Sequence, residues 1–539
     1  MTKQVLIPAA IYNISGGVLI IFLLEFLGPI IGMPVFGPPL FRLFTGGAAI
    51  TFGLGYLAAA QDFERHKFLV TLGAGLKYWA FLIAAYCLWT QTISLFVFLA
   101  FGVVNLLFAL AFTAHHLKKV KGAMVVCLMF LPLIGSAQGL PDVLKEVLKP
   151  GFTPSDDPAD YPLVLPRKFH VELSEPLWIV PSKNLPATLA LNKSNNNVAI
   201  TIQNGTIFMA FRNSKTHFAS KKSKMVVISS QDGAKWDVEA EISLKKDCRE
   251  PQFVNDGKNL HLTFFSAGTS PFKFEPGDVV RYTRTSRNTW EGPHRFLEKG
   301  EVMWDVKKRF GEWYMTSYSG SHYNIFGPSK VDLHFKKSLD GLNYTPVEGR
   351  ETVYQGGVSE TGFEFDHLGN LWGVTRNEDG DQSGFGHQVI FAEKENLSSW
   401  QFPEKSSPEI FMSPKMFRHQ TDLFLIGRRQ LGKHPFDRTP ELWGMPIRRL
   451  ANWLGYSFTP KATTLYKIDQ TTKQVHPVLD LPSAGDTAFP SIVRLDGHRF
   501  LVANYTSRPD RRKISWIRGQ LGQTYLYLIL LNFKPESLR

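Results

Sequence analysis

The stretch GTIFMAFR at 205–212 recurs in one register as GKNLHLTF at 257–264, GEWYMTSY at 311–318, GNLWGVTR at 369–376 and GHRFLVAN at 497–504, with a copy lacking the glycine, TDLFLIGR, at 421–428. Each reads as a turn followed by a strand whose residues alternate between two faces. A preceding strand repeats as EPQF at 250–253, EVMW at 301–304, ETGF at 360–363 and DTAF at 486–489. A following one repeats as MVVISS, VVRYTRTS, VDLHFKKS, VIFAEKE, TTLYKID and TYLYLILL. These make six units, spaced by roughly 53 residues, the length a four-stranded propeller blade needs. The last is lengthened by an insertion around 432–460. The segment KFHVELSEPLWIV at 168–180 is placed to pair with the C-terminal strand and close the ring, which removes exposed strand edges. The pattern predicts an all-β six-bladed β-propeller over 168–539.

Two turns are more specific. SQDGAKW at 230–236 and SLDGLNY at 338–344 share S-x-D-G-x-x-aromatic, and RNTW at 287–290 and LSSW at 397–400 are degenerate copies. The Asp accepts bonds from turn amides, the Gly takes the φ > 0 position and the aromatic packs beneath. Asp232 and Asp340 are thus read as structural. Such Asp-box (BNR-repeat) hairpins in six propeller units resemble the sialidase superfamily, over about 170–533. That resemblance implies three arginines on a sugar carboxylate, a Tyr nucleophile backed by a Glu, and an Asp acid/base. SETGFEFDHLGNLWGVTR at 359–376 is similar to the family's Glu-to-Arg unit, with Glu360 and Arg376 in those places and Arg428 as a second arginine. Elsewhere the chain departs. Asn195, Asn196 and Asn197 stand where the first arginine belongs, and Arg212 lies at the other end of that hairpin. The acid/base loop RNSKTHFASKKSK has no carboxylate; His217, its one group titrating near neutrality, is read as a surface residue. Phe489 occupies the nucleophile's position, with Tyr505 nearby in sequence.

Register alone gives a site as well. Arg212, Arg376 and Arg428 share one position in three units, with Phe264, Tyr318 and Asn504 in the others, and Glu250, Glu301, Glu360 and Asp486 share a second. Equivalent positions on inner strands should form rings at one height of the channel. The expected catalytic groups are Glu360, Asp486 and Glu250. The expected substrate-binding groups are Arg212, Arg376, Arg428, Tyr318, Tyr505 and Glu301, which suit a glycan or acidic sugar. The alternative is that these charges pair with one another and merely close the propeller. The insertion GKHPFDRTPELWGMPIRRLANWLGYSF, with Arg448, Arg449 and Trp453, reads as a lid, a contact with anionic lipid or a plain packed element.

The N-terminal part is of another kind. Apolar stretches at roughly 6–31, 41–60, 68–90 and 92–114 are long enough to span about 30 Å of hydrocarbon. Lys3, Arg65, Lys67, Lys118, Lys119 and Lys121 fall on one side and only Arg42 on the other, which places the N-terminus in the cytoplasm. A fifth stretch at 123–139 follows the basic lead KKVKG and ends in Gly135-Ser136-Ala137, the layout of a fifth span or an internal signal. The expected layout is an all-α transmembrane bundle of four to five spans. It comprises a four-helix part at 1–121, a fifth span or signal segment at 122–139, a linker at 140–167 and the exported propeller. The expected location is the inner membrane of a bacterial-type cell, multi-pass, with the propeller on the periplasmic side. Within the bundle, Glu25 is expected near the outer interface and Lys77 snorkelling. Gly16, Gly17, Gly46, Gly47, Gly53 and Gly55 suit close helix packing, and the texture resembles DoxX-like four-helix membrane proteins.

The charge of +13 comes without a long Lys/Arg block or a nucleic-acid motif, which argues against a nucleic-acid partner. Cys87, Cys127 and Cys248 leave one cysteine in the soluble part and so no disulfide framework. No metal site or cofactor is read, and the oligomeric state stays open. Three functions remain: a membrane-anchored carbohydrate-active enzyme of altered chemistry, a non-catalytic glycan- or protein-binding propeller, and a function seated in the bundle.

Overall fold

The computed structural model describes residues 3–23, 39–89, 97–120, 140–164, 168–270, 277–321, 330–409, 412–432, 436, 439–440, 443–510 and 513–536. The chain divides into two compact units, Met1–Ile134 and Gly135–Arg539.

The first unit is helical: α1 (Lys3–Val18), α2 (Pro39–Gln61), α3 (Phe63–Trp89) and α4 (Val104–Val120). Three of its helices are long and apolar enough to cross a membrane, over Val5–Phe22, Leu43–Gln61 and Phe68–Leu88; Phe98–Thr113 is shorter. Small residues let α1 and α2 approach: a Cβ on Gly17 would lie 2.6 Å from the Gly46 carbonyl oxygen, and one on Gly53 3.0 Å from that of Ala10. Gly16 and Gly47 face open space. Lys77 does not snorkel. It is buried, and its Nζ donates to Asn13 Oδ1 (2.9 Å) and Asn105 Oδ1 (3.0 Å) while the rings of Tyr12, Tyr56 and Phe108 surround it. Amide carbonyls and ring faces replace the water that the ammonium would otherwise seek at the interface. Glu25, Cys127 and the stretch 123–139 lie outside the described residues.

The second unit is the six-bladed propeller, every sheet antiparallel. The innermost strands are Ser194–Gln203, Cys248–Asn255, Val302–Arg309, Thr361–Phe365, Met412–His419 and Thr487–Arg494, and they touch in succession around a closed ring. The second strands are the repeated motif itself: Thr206–Ser214, Leu260–Ser266, Glu312–Ser321, Leu371–Asp381, Asp422–Gln430 and Arg499–Thr506. The sixth blade closes as the sequence predicts. Phe169–Leu173 and Leu177–Val180 both pair with the last strand, Tyr525–Pro535, with Val171 opposite Phe533. The stretch expected as a linker contains α5 (Leu140–Val147), whose Val143 and Leu144 are buried in the core beneath the first and sixth blades.

The Asp-Gly turns are structural. Asp232 Oδ1 accepts from the N–H groups of Ala234 and Lys235, and Asp340 Oδ1 from those of Leu342 and Asn343, all at 2.8 Å. Gly233 and Gly341 have φ of +70° and +71°, as the turn requires. Asp340→Ala is expected to lower stability by about 1–2 kcal/mol, through two lost acceptors, and to leave ligand binding unchanged. Thermal unfolding beside a binding assay checks both.

Candidate functional site

Five of the six inner strands are bulged. Register breaks between Asn196 and Val198, Arg249 and Gln252, Met303 and Asp305, Met412 and Lys415, and Ala488 and Ser491. Asn197, Glu250, Ser413 and Phe489 take left-handed φ of 48°, 53°, 57° and 52° there, a conformation uncommon outside glycine and frequent where a bulge re-aims a side chain. These bulges converge on the axis. Asn197, Glu250, Trp304, Lys415 and Phe489 line a cavity of about 20 Å³, and the Trp304 and Phe489 rings lie 5.5 Å apart. Trp304 is fixed by its indole N–H to the Pro414 carbonyl (3.0 Å), and Lys415 Nζ donates to the Trp304 carbonyl (2.9 Å) and to Asp305 (3.1 Å). A larger cavity of about 470 Å³, lined among others by Asp156, Lys307, Arg309 and Arg494, opens toward the end of the channel that carries the inner hairpin turns.

The bulges correct the expected rings. The residues occupying the bulge are Asn197, Glu250, Trp304, Ser413 and Phe489, so Glu250 does not share a position with Glu301 and Asp486. Three residues ahead of the bulge stand Asp247, Glu301 and Asp486 instead. On the second strands, Arg212 faces Asn196, Arg428 faces Met412 and Tyr505 faces Ala488, while Ser317 faces Met303. Tyr505, and not Asn504, thus shares the arginines' position, and Ser317, not Tyr318, does so in the third blade. A shift of one residue turns a side chain to the opposite face. Tyr318 accordingly packs in the core with Phe265, Met303 and Phe363 and does not face the channel.

Each acid has its own surroundings. Glu360 accepts from Arg376 Nη1 and from the Ser413 N–H (2.8 Å), and Arg376 also pairs with Glu378. Glu250 has a buried Oε2 without a partner. Burial, with the charge of Glu360 adding to it, pushes its carboxyl up to about 8. Near neutrality Glu250 is therefore an uncharged acid, whereas Glu360 is held by Arg376 and the Ser413 amide. Asp486 Oδ2 lies 2.6 Å from His217 Nδ1, and its Oδ1 accepts from the Tyr505 hydroxyl (3.1 Å). His217 is buried, contrary to the surface position expected for it. Burial lowers its pKa against the pull of Asp486, and burial together with Asp486 raises that of Tyr505 well above the ordinary phenol value. Arg428 donates to the Thr487 carbonyl (2.7 Å), the Tyr456 hydroxyl (2.8 Å) and, at 3.5 Å, the Tyr505 hydroxyl.

Two expected ligand groups are tied into the fold. Arg212 is fully buried, and its donors go to Asp247 Oδ1 (3.0 and 2.6 Å), Asn196 Oδ1 and the carbonyls of Thr216 and Phe218. Glu301 is held by Ser317 and by Lys336 Nζ (2.7 and 2.9 Å). Sequence reading missed Asp247, Trp304, Lys415 and Lys461. Lys461 is buried with only carbonyl and hydroxyl acceptors beside it, and burial, then Arg428, lowers its amine to about 6. The available signal was X-Pro: Glu250-Pro251, Ser413-Pro414 and Phe489-Pro490 mark three of the bulges, because proline cannot donate to a sheet ladder.

No family model and no curated protein matches the chain. Solved structures do match it at low identity. A protein of unknown function from Dyadobacter fermentans has 13% identity and a TM-score of 0.44, covering 68% of this chain and 99% of that one. The phage phi92 endosialidase has 10% identity and a TM-score of 0.43, covering 69% and 70%. The Trypanosoma rangeli sialidase in complex with sialic acid has 13% identity and a TM-score of 0.40, covering 69% and 58%.

Proposed function

We propose that this chain is a membrane-anchored, exported propeller that binds a glycan at the bulged end of its channel and hydrolyses a glycosidic bond there. The observation carrying this reading is a pair of carboxyls in unlike surroundings: Glu250, whose buried Oε2 has no partner and whose proton is held by burial and by the charge of Glu360, and Glu360, held by Arg376 and the Ser413 amide. Glycoside hydrolysis uses such a division, one acid protonating the leaving oxygen and one carboxylate stabilising or attacking the sugar. Glu250 is the general acid in this scheme and Glu360 the carboxylate. Asp486, with His217 and Tyr505, flanks them, and Arg376 and Arg428 meet the sugar's anionic or hydroxyl groups. The nucleophile differs from the tyrosine that the sialidase resemblance implies. Among the described residues no tyrosine lines the axial cavity, and Tyr505 is buried behind Phe489.

A second reading, a non-catalytic binding propeller, is favoured by the saturation of Arg212 and Glu301 and by a cavity of only about 20 Å³ at this end. Full-length protein in detergent, assayed on sialosides, uronides and neutral glycans, separates the two. Turnover abolished in Glu360→Gln supports the hydrolase; binding without turnover, indifferent to that substitution, supports the binder. Export on the periplasmic side rests on the sorting of basic residues around the apolar stretches, and a topology reporter fused after residue 150 tests it.

A further inference from the structure

The insertion forms helix α6 (Gly444–Ser457), whose amphipathicity is inverted. Its polar side chains Arg449, Asn452 and Tyr456 are buried: Arg449 Nε donates to the Asp379 carbonyl (2.7 Å), and the Tyr456 hydroxyl accepts from Arg428 (2.8 Å). Its apolar side chains point outward. Trp443, Ile447, Leu450, Leu454 and Phe458 are 43, 59, 43, 52 and 67% exposed, and their spacing of three and four residues sets them on one face. A helix packed on a water-soluble surface shows the reverse order. Next to it lies α7 (Trp516–Leu521), joined through the Tyr456 and Trp516 rings (5.1 Å) and, by the Gln520 carbonyl, to the His217 N–H (3.0 Å). Arg518 on α7, Lys513 just ahead of the Ser515 that pairs with Pro460 just past the end of α6, and Lys215 two residues before His217 are exposed here.

We infer that α6 is a membrane-docking helix that lays this apolar stripe into the lipid interface, with the basic side chains on anionic headgroups. An exposed apolar face fringed by lysine and arginine is the surface that interfacial helices present. The same chain carries three helices long and apolar enough to cross a membrane, so the propeller is tethered near a bilayer and a modest surface affinity is multiplied by local concentration. The inner face of α6 holds Arg428 and the strand that bears Arg376. Resting on the glycan reading above, docking there brings the site to the headgroups of the bilayer, and the substrate class is a lipid-linked glycan.

The test uses the full chain in vesicles of phosphatidylethanolamine and phosphatidylglycerol, with the photo-crosslinking residue p-benzoylphenylalanine placed at Leu454 or, as control, at Leu339, which is 82% exposed on an Asp-Gly turn. Irradiation is expected to give lipid adducts at 454 and none at 339. Absence of lipid adducts at 454, or a crosslinked dimer there, overturns the docking. Ile447→Glu with Leu454→Glu is then expected to slow turnover of a lipid-linked glycan tenfold or more, and to spare a soluble glycoside with the same sugar. Equal turnover of both by variant and parent overturns the substrate class. If the parent cleaves neither, the hydrolase reading falls, and the crosslinking result still decides the docking.

Discussion

Glu250→Gln is expected to cut turnover roughly 10²–10⁴-fold while leaving the protein folded, because a general acid contributes about that much and glutamine keeps the shape of the side chain. In the parent, kcat/KM should fall as pH rises through about 8, where Glu250 loses its proton. Stability should respond to the same proton. In the unfolded chain the carboxyl titrates near its ordinary 4.5, and in the folded chain burial and Glu360 hold it up to about 8. Between those values the folded protein binds the extra proton, so stability declines with rising pH by roughly 1.4 kcal/mol per unit, at most about 5 kcal/mol in all, and levels off above 8. Glutamine cannot ionise, so the variant lacks this decline and gains on the parent from pH 4.5 to 8. Glu360→Gln removes the like charge, lowers the pKa of Glu250 and narrows the same window. Thermal unfolding of parent and variants across this range provides the check. A variant that keeps both turnover and the parental pH slope would show that Glu250 is neither the acid nor the displaced titrating group.

The blades were legible because their signals are local: a glycine turn, period-two alternation, and the closing strand 168–180 with its apolar alternation. The site was not, because it is built by departures from that period. A bulge adds a residue without leaving a repeat, so Glu250, Glu301 and Asp486 align by the aromatic three positions on, although Glu250 occupies the bulge and the other two precede it. His217 looked like a loop residue because its partner Asp486 lies 269 positions away. Lys77 was misjudged for a similar reason, since Asn13 and Asn105 approach it from different helices. Glu360 and Arg376 were found because a single hairpin pairs them.

Asp247→Ala is expected to destabilise the propeller by about 3–5 kcal/mol, the usual cost of removing one member of a buried ion pair and stranding the other. Asp247 and Arg212 are both fully buried. The aspartate also accepts from Arg249 Nε (2.5 Å), so the substitution leaves two guanidinium groups without their carboxylate. The Arg212 bonds join the residue just ahead of the second blade's inner strand to the second strand of the first blade. Arg212→Met together with Asp247→Ala should cost less than the sum of the singles, since each single variant already breaks the shared bond. Unfolding of the four proteins in urea measures that coupling. The same set decides what Arg212 is for. A guanidinium whose five donors are spent inside the protein has none left for a sugar, so Arg212→Met should weaken the fold and leave glycan affinity in the surviving folded protein unchanged. Loss of affinity at undiminished stability would instead return Arg212 to the binding site and require its loop to open on the ligand. On the glycan reading proposed above, the substrate contacts then fall to Arg376 and Arg428. Arg376 is held there by Glu360 and Glu378, and Arg428 by Tyr456 on α6.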